Sequence, residues 1–102
     1  MASGRIAAVD MKVGINTLLY KMPTGQIQVL NVGISNRNDS DVKVRLAFVD
    51  GGINDLADSD YLEYNTVVRA NGVLERSGIA LAGEQSLIGY SDTGNVSFMV
   101  WG

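Results

Sequence analysis

The sequence predicts an all-β fold, a single antiparallel β-sandwich or jelly roll of about eight short strands, and three observations predict it. Runs rich in β-branched and aromatic residues recur along the chain, separated by turn residues at intervals of about 8 to 12. No apolar pattern of helical period is long enough to pack as a helix. The 102 residues, 46 % apolar and 19 % charged, supply one hydrophobic core but not a scaffold plus a separate catalytic domain, so residues 1–102 read as one domain. A small closed barrel is the alternative arrangement of the same strands.

Residues 5–10 form the first strand candidate, ended by Lys12 and Gly14, and residues 15–20 the second. Pro23 fixes φ and Gly25 admits positive φ, so the chain reverses between them. Residues 26–35 are the longest strand, and their apolar pattern changes phase: Ile27 and Val29 share one face, Leu30, Val32 and Ile34 the other. That pattern predicts either a β-bulge or a strand buried on both faces, with one face against a neighbouring subunit. Leu30, Val32 and Ile34 are therefore expected at an interface. Residues 36–41 are Asn, Asp, Ser and Arg, which is turn chemistry.

Residues 42–48 alternate cleanly, with Val42, Val44, Leu46 and Phe48 inward and Lys43 and Arg45 outward. The acidic stretch 50–60 is the longest irregular segment, with Leu56 as its expected tether. Residues 61–81 read as a hairpin of two core strands turning at Asn71-Gly72. In its first strand, alternation places Leu62, Tyr64 and Thr66 opposite Tyr61, Glu63 and Asn65. Two more strands follow, residues 86–90 and 96–101. In the last, Val96, Phe98 and Val100 face one way, Met99 and Trp101 the other. A terminal strand with large apolar groups on both faces needs cover, so Met99 and Trp101 join the expected interface.

Composition narrows the function classes. The net charge of −3 and the scattered Lys and Arg residues argue against nucleic acid as a partner, because neutralising phosphates requires clustered cations. No apolar run approaches the roughly 20 residues of a spanning helix, so no membrane partner is expected. Met1–Arg5 lacks the basic and apolar regions of a secretory leader, which predicts synthesis in the cytoplasm. The chain contains neither cysteine nor histidine, which removes the thiolate ligand and the usual general base.

The remaining candidates have simpler readings. Asp50, Asp55, Asp58 and Asp60 lack the spacing of a calcium loop and read as a solvated acidic loop. Glu63 and Glu75 suggest a glycosidase-like carboxylate pair, yet Arg69 and Arg76 lie close in sequence as ion-pair partners. Tyr61, Tyr64, Tyr90 and Trp101 suggest a sugar-stacking platform, but large rings more commonly fill cores and interfaces. No catalytic, cofactor or metal site is expected, and the chain does not read as an enzyme.

Several stretches carry a resemblance. Leu19-Tyr20 with Pro23 and Gly25, Asn36-Arg37, the run from Tyr61 to Tyr64, the run from Asn71 to Arg76, and the closing Val100 and Gly102 resemble small virion structural proteins of tailed bacteriophages. The similarity extends from about residue 16 to the end, and its motifs are strand and turn signatures that say nothing of chemistry. It implies a non-enzymatic virion component made in the host cytoplasm. The expected role is a capsid decoration (cement) protein that binds the major capsid protein as a small homo-oligomer, a trimer. The alternative is a tail, baseplate or fibre module contacting other tail proteins, with a surface for host glycan.

Overall fold

A computed structural model describes residues 4–102. The leader expectation falls largely on residues 1–3, which lie outside the described residues. Eight strands form two antiparallel four-stranded sheets: β1 (Arg5–Asp10), β2 (Thr17–Lys21), β3 (Ile27–Asn36), β4 (Val42–Asp50), β5 (Tyr61–Val68), β6 (Val73–Ala82), β7 (Gln85–Ser91) and β8 (Val96–Trp101). One sheet has the order β1-β8-β3-β6, the other β2-β7-β4-β5. The all-β sandwich expected from the turn spacing is therefore the observed architecture, with strand limits close to those read from the sequence.

The order follows one rule. Strand pairs β1·β8, β2·β7, β3·β6 and β4·β5 are all hydrogen-bonded, so the chain is one long four-pair hairpin wrapped over itself into two layers. Only β4 and β5 are consecutive strands of one sheet; every other connection crosses between layers. The alternating inward residues of both layers meet in a shared core, with Leu30, Val32, Ile34, Phe98 and Val100 from one sheet against Val44, Leu46 and Leu87 from the other.

Two sequence expectations are corrected here. Residues 61–81 do not form a hairpin: β5 and β6 are edge strands of opposite sheets. Asn71, at φ 57°, does make the turn, with the Gly72 amide donating to the Arg69 carbonyl. The turn then bonds outward rather than to its own flanks: Asn71 donates to the Asn38 carbonyl and Asn36 donates to that of Gly72. Local turn chemistry was legible, but the partner of each flanking strand is set by the rest of the sheet.

The second correction concerns β3. Leu30, Val32 and Ile34 are at most 1 % exposed and belong to the intramolecular core, so they are not free to meet a neighbour. The apparent change of phase is no irregularity of β3, which keeps a regular register with β8. Ile27 and Val29 simply occupy its outer face, where they are exposed. The bulge lies across the ladder in β6, where Ser77 and Gly78 stand opposite the single residue Asn31. Gly78 supplies the positive φ, and its amide donates to the Asn31 side-chain oxygen.

The central pairs β3·β8 and β4·β7 run without a shift, whereas each edge strand is irregular against its neighbour. Bulges twist and interrupt the row of free donors and acceptors that an edge would otherwise offer. The sheet edges are thus blunted by their own backbone, and the faces become the surfaces of interest.

Candidate recognition surfaces

The outer face of the β1-β8-β3-β6 sheet is the first surface. Its two central strands, β8 and β3, contain no charged residue. Register places Val29 beside Ala80, Ile27 beside Ala82, and Met99 between Ala8 and Gly33. The Trp101 ring lies over Gly33, where a built Cβ would stand 3.1 Å from the ring. Glycine there makes room for the edge of the indole. Ile27 is 68 % exposed, Val29 57 % and Met99 41 %, which makes this a largely apolar face, with Asn31, Ser35 and Ser97 as its polar members and charges towards its margins, at Arg5 and Asp10 on β1 and Glu75 on β6. Of the five residues expected at an interface, the structure places Met99 and Trp101 here; Leu30, Val32 and Ile34 lie beneath it.

The outer face of the other sheet is built differently. Part of it is roofed by the acidic segment between β4 and β5, which folds into two 3-10 turns, Ile53–Asp55 and Asp58–Asp60. Leu56 and Tyr61 pack on Ala47, Val49 and Ile88 in a second small core, so Leu56 acts as the tether expected. The Asp55 and Asp60 carboxylates accept the Gly52 and Ala57 amides at 2.9 and 2.8 Å, each closing its own turn. These acids serve the backbone. Among the described residues, no group of three or more His, Cys, Asp or Glu side chains is arranged to hold a metal ion.

The uncovered part of that face exposes Leu18, Lys43 and Val67 and contains a cluster of rings around one arginine. Bulges in β5 place two residues, Tyr64 and Asn65, opposite the single residue Arg45 of β4, with Asn65 at φ 51°. This breaks the alternation expected for β5 and puts Tyr61 and Tyr64 in edge-to-face contact, with centroids 4.9 Å apart. Tyr90 is the register partner of Arg45 on the other side. The guanidinium carbon sits 4.3 Å from the Tyr64 ring centroid and 4.5 Å from that of Tyr90. Its Nε donates to the Asn65 side-chain oxygen at 2.8 Å. Two cation–π contacts of about 0.5–1 kcal/mol each at exposed sites hold the group more firmly than an ordinary surface arginine.

Three of the four aromatic residues singled out in the sequence therefore come together, and Trp101 does not, because it belongs to the opposite sheet. Arg45 and Asn65 were missed as members of the cluster. The only local hint was an outward arginine in an alternating strand; its neighbours are set by sheet order and by a bulge.

Glu63 and Glu75 are not brought together. Glu75 pairs in register with Gly33 on the outer face of the first sheet. Glu63 turns to the open side of the sandwich, where its Oε2 lies 3.2 Å from Arg76 Nη1 and its Oε1 accepts the Thr66 hydroxyl. This ion pair bridges the edge strands of the two sheets, which supports the structural reading of Glu63. Comparison with protein-family models, curated proteins and solved structures finds no match for the chain.

Proposed function

We propose that this protein is a non-enzymatic virion structural component of a tailed bacteriophage, a capsid decoration (cement) protein that associates with itself and binds the major capsid protein through a sheet face. The observation that carries the assembly reading is the outer face of the β1-β8-β3-β6 sheet, whose two central strands bear no charge and which exposes Ile27, Val29 and Met99. Isolated exposed apolar residues are ordinary, but a contiguous patch on a rigid sheet is the signature of a surface that another molecule covers. The blunted edges leave face packing as the available mode.

The virion assignment rests on the resemblance of the strand and turn motifs. The two packed four-stranded sheets, in the orders 1-8-3-6 and 2-7-4-5, are compatible with it: we read them as a jelly roll, an architecture of viral capsid proteins and also of lectins and cupins. The fold therefore supports the role without singling it out. A tail, baseplate or fibre module is the second reading, favoured by the tyrosine–arginine cluster on the other face.

The test is the copy number per particle, measured by quantitative mass spectrometry of purified virions against the major capsid protein. A ratio near one copy per one to few capsid subunits is the expected result. A count of a few to a few dozen copies would move the protein to the tail.

A further inference from the structure

We propose that Arg45, Tyr64, Tyr90 and Asn65 form a binding site for a carboxylated sugar, a hexuronate or similar acidic glycan residue. This proposal does not depend on the assembly reading, because the cluster lies on the opposite sheet from the apolar face.

The guanidinium is already oriented. Rings flank it on β5 and β7, and Asn65 takes its Nε–H. The terminal Nη1 and Nη2 donors make no hydrogen bond or ion pair with the described residues, and the arginine–carboxylate pairs among those residues are Arg37 with Asp10 and Arg76 with Glu63. A planar two-donor fork, held rigid and lacking an internal acid, matches a carboxylate.

The surrounding groups specify a sugar rather than an acidic peptide. The Asn65 amide nitrogen and the Tyr64 and Tyr90 hydroxyls also lack hydrogen-bond partners among the described residues, so donors and acceptors suited to sugar hydroxyls border the fork. Tyr64 is 56 % exposed and offers an apolar ring margin to sugar C–H groups. A peptide on this side would be gripped by strand addition to the β5 edge, and the bulges opposite Arg45 and at Leu62 interrupt that edge where the peptide would pair.

The probe is methyl β-D-glucuronide titrated into ¹⁵N-labelled protein, with methyl β-D-glucoside and acetate as controls. The expected result is saturable shifts of the Arg45 Nε–H, the Asn65 side-chain amide and the Tyr64 and Tyr90 backbone amides, with half-saturation at about 1–10 mM. Both controls should bind at least about tenfold more weakly. Arg45→Lys, which keeps the charge but loses the fork, should weaken binding by about tenfold. Asn65→Gly, which suits the positive φ and so preserves the bulge, should weaken it by about threefold and keeps the test available if the arginine variant does not fold. Acetate binding as well as the glucuronide would overturn the proposal in favour of an unspecific anion site or an acidic protein partner. Absence of saturable shifts up to about 50 mM glucuronide would overturn it outright.

Discussion

Asn36 is the polar residue on which one end of the sandwich depends. Only 2 % exposed, it donates through its amide nitrogen to the carbonyls of Ser40, Val68 and Arg69 and accepts the Asn38 backbone and side-chain donors on its oxygen. It joins the β3–β4 turn to the β5–β6 turn, and Asn38 extends the network to the Gly94 carbonyl. Asn36→Ala would strand buried carbonyls, so a loss of about 2–3 kcal/mol in urea denaturation is expected. Asn36→Asp should be worse at neutral pH, since a carboxylate would face three carbonyl oxygens. Gly89 makes a different demand. A Cβ built there lies 2.9 Å from the Phe98 ring, which fills the core beneath it. Gly89→Ala should cost about 1–3 kcal/mol by overpacking, read as a lower denaturation midpoint at an unchanged slope.

At the scale of elements, the segment between β4 and β5 shows how a loop becomes part of the fold. Its two 3-10 turns close on their own aspartates, and Leu56 fastens them to the outer face of the sheet. Leu56→Ala should cost about 1–2 kcal/mol and, more tellingly, speed proteolytic cleavage within residues 51–60 while the rest of the chain stays protected. Legibility in the sequence divides at this scale. Strands β4 and β8 were readable because one face of each is core, and Val42, Val44 and Leu46, like Val96, Phe98 and Val100, recur at period two. Strand β5 was not: two bulges shift its phase, and only positive φ at Asn65 betrays one of them. The apolar run of β3 invited the opposite error. Exposed Ile27 and Val29 looked like core, and the residues across the ladder were needed to show which side was outside.

For the whole molecule, the wrapped hairpin explains why composition and turn spacing gave the architecture while strand partners stayed hidden. Most connections cross between layers, so neighbours in sequence are seldom neighbours in a sheet. The two candidate surfaces inherit this. Arg45 meets Tyr64 and Tyr90 from β5 and β7, and Trp101 meets Gly33 from β3, pairings that no local pattern encodes. That Met99 and Trp101 lie on the outer face of the last strand was legible, because Val96, Phe98 and Val100 alternate with them and fill the core. The result is a plate with two unlike faces, one apolar and one bearing an oriented arginine among rings.

The central claim, that the apolar face is an assembly surface, is tested most directly by sedimentation equilibrium of the protein and of a Val29→Lys/Met99→Lys double variant. Both residues are exposed, so the variant should retain its stability to within about 1 kcal/mol. The account predicts a homo-oligomer for the parent protein at about 50 μM and a monomer for the variant. A parent protein that sediments as a monomer throughout, or a variant that assembles equally well, would contradict it.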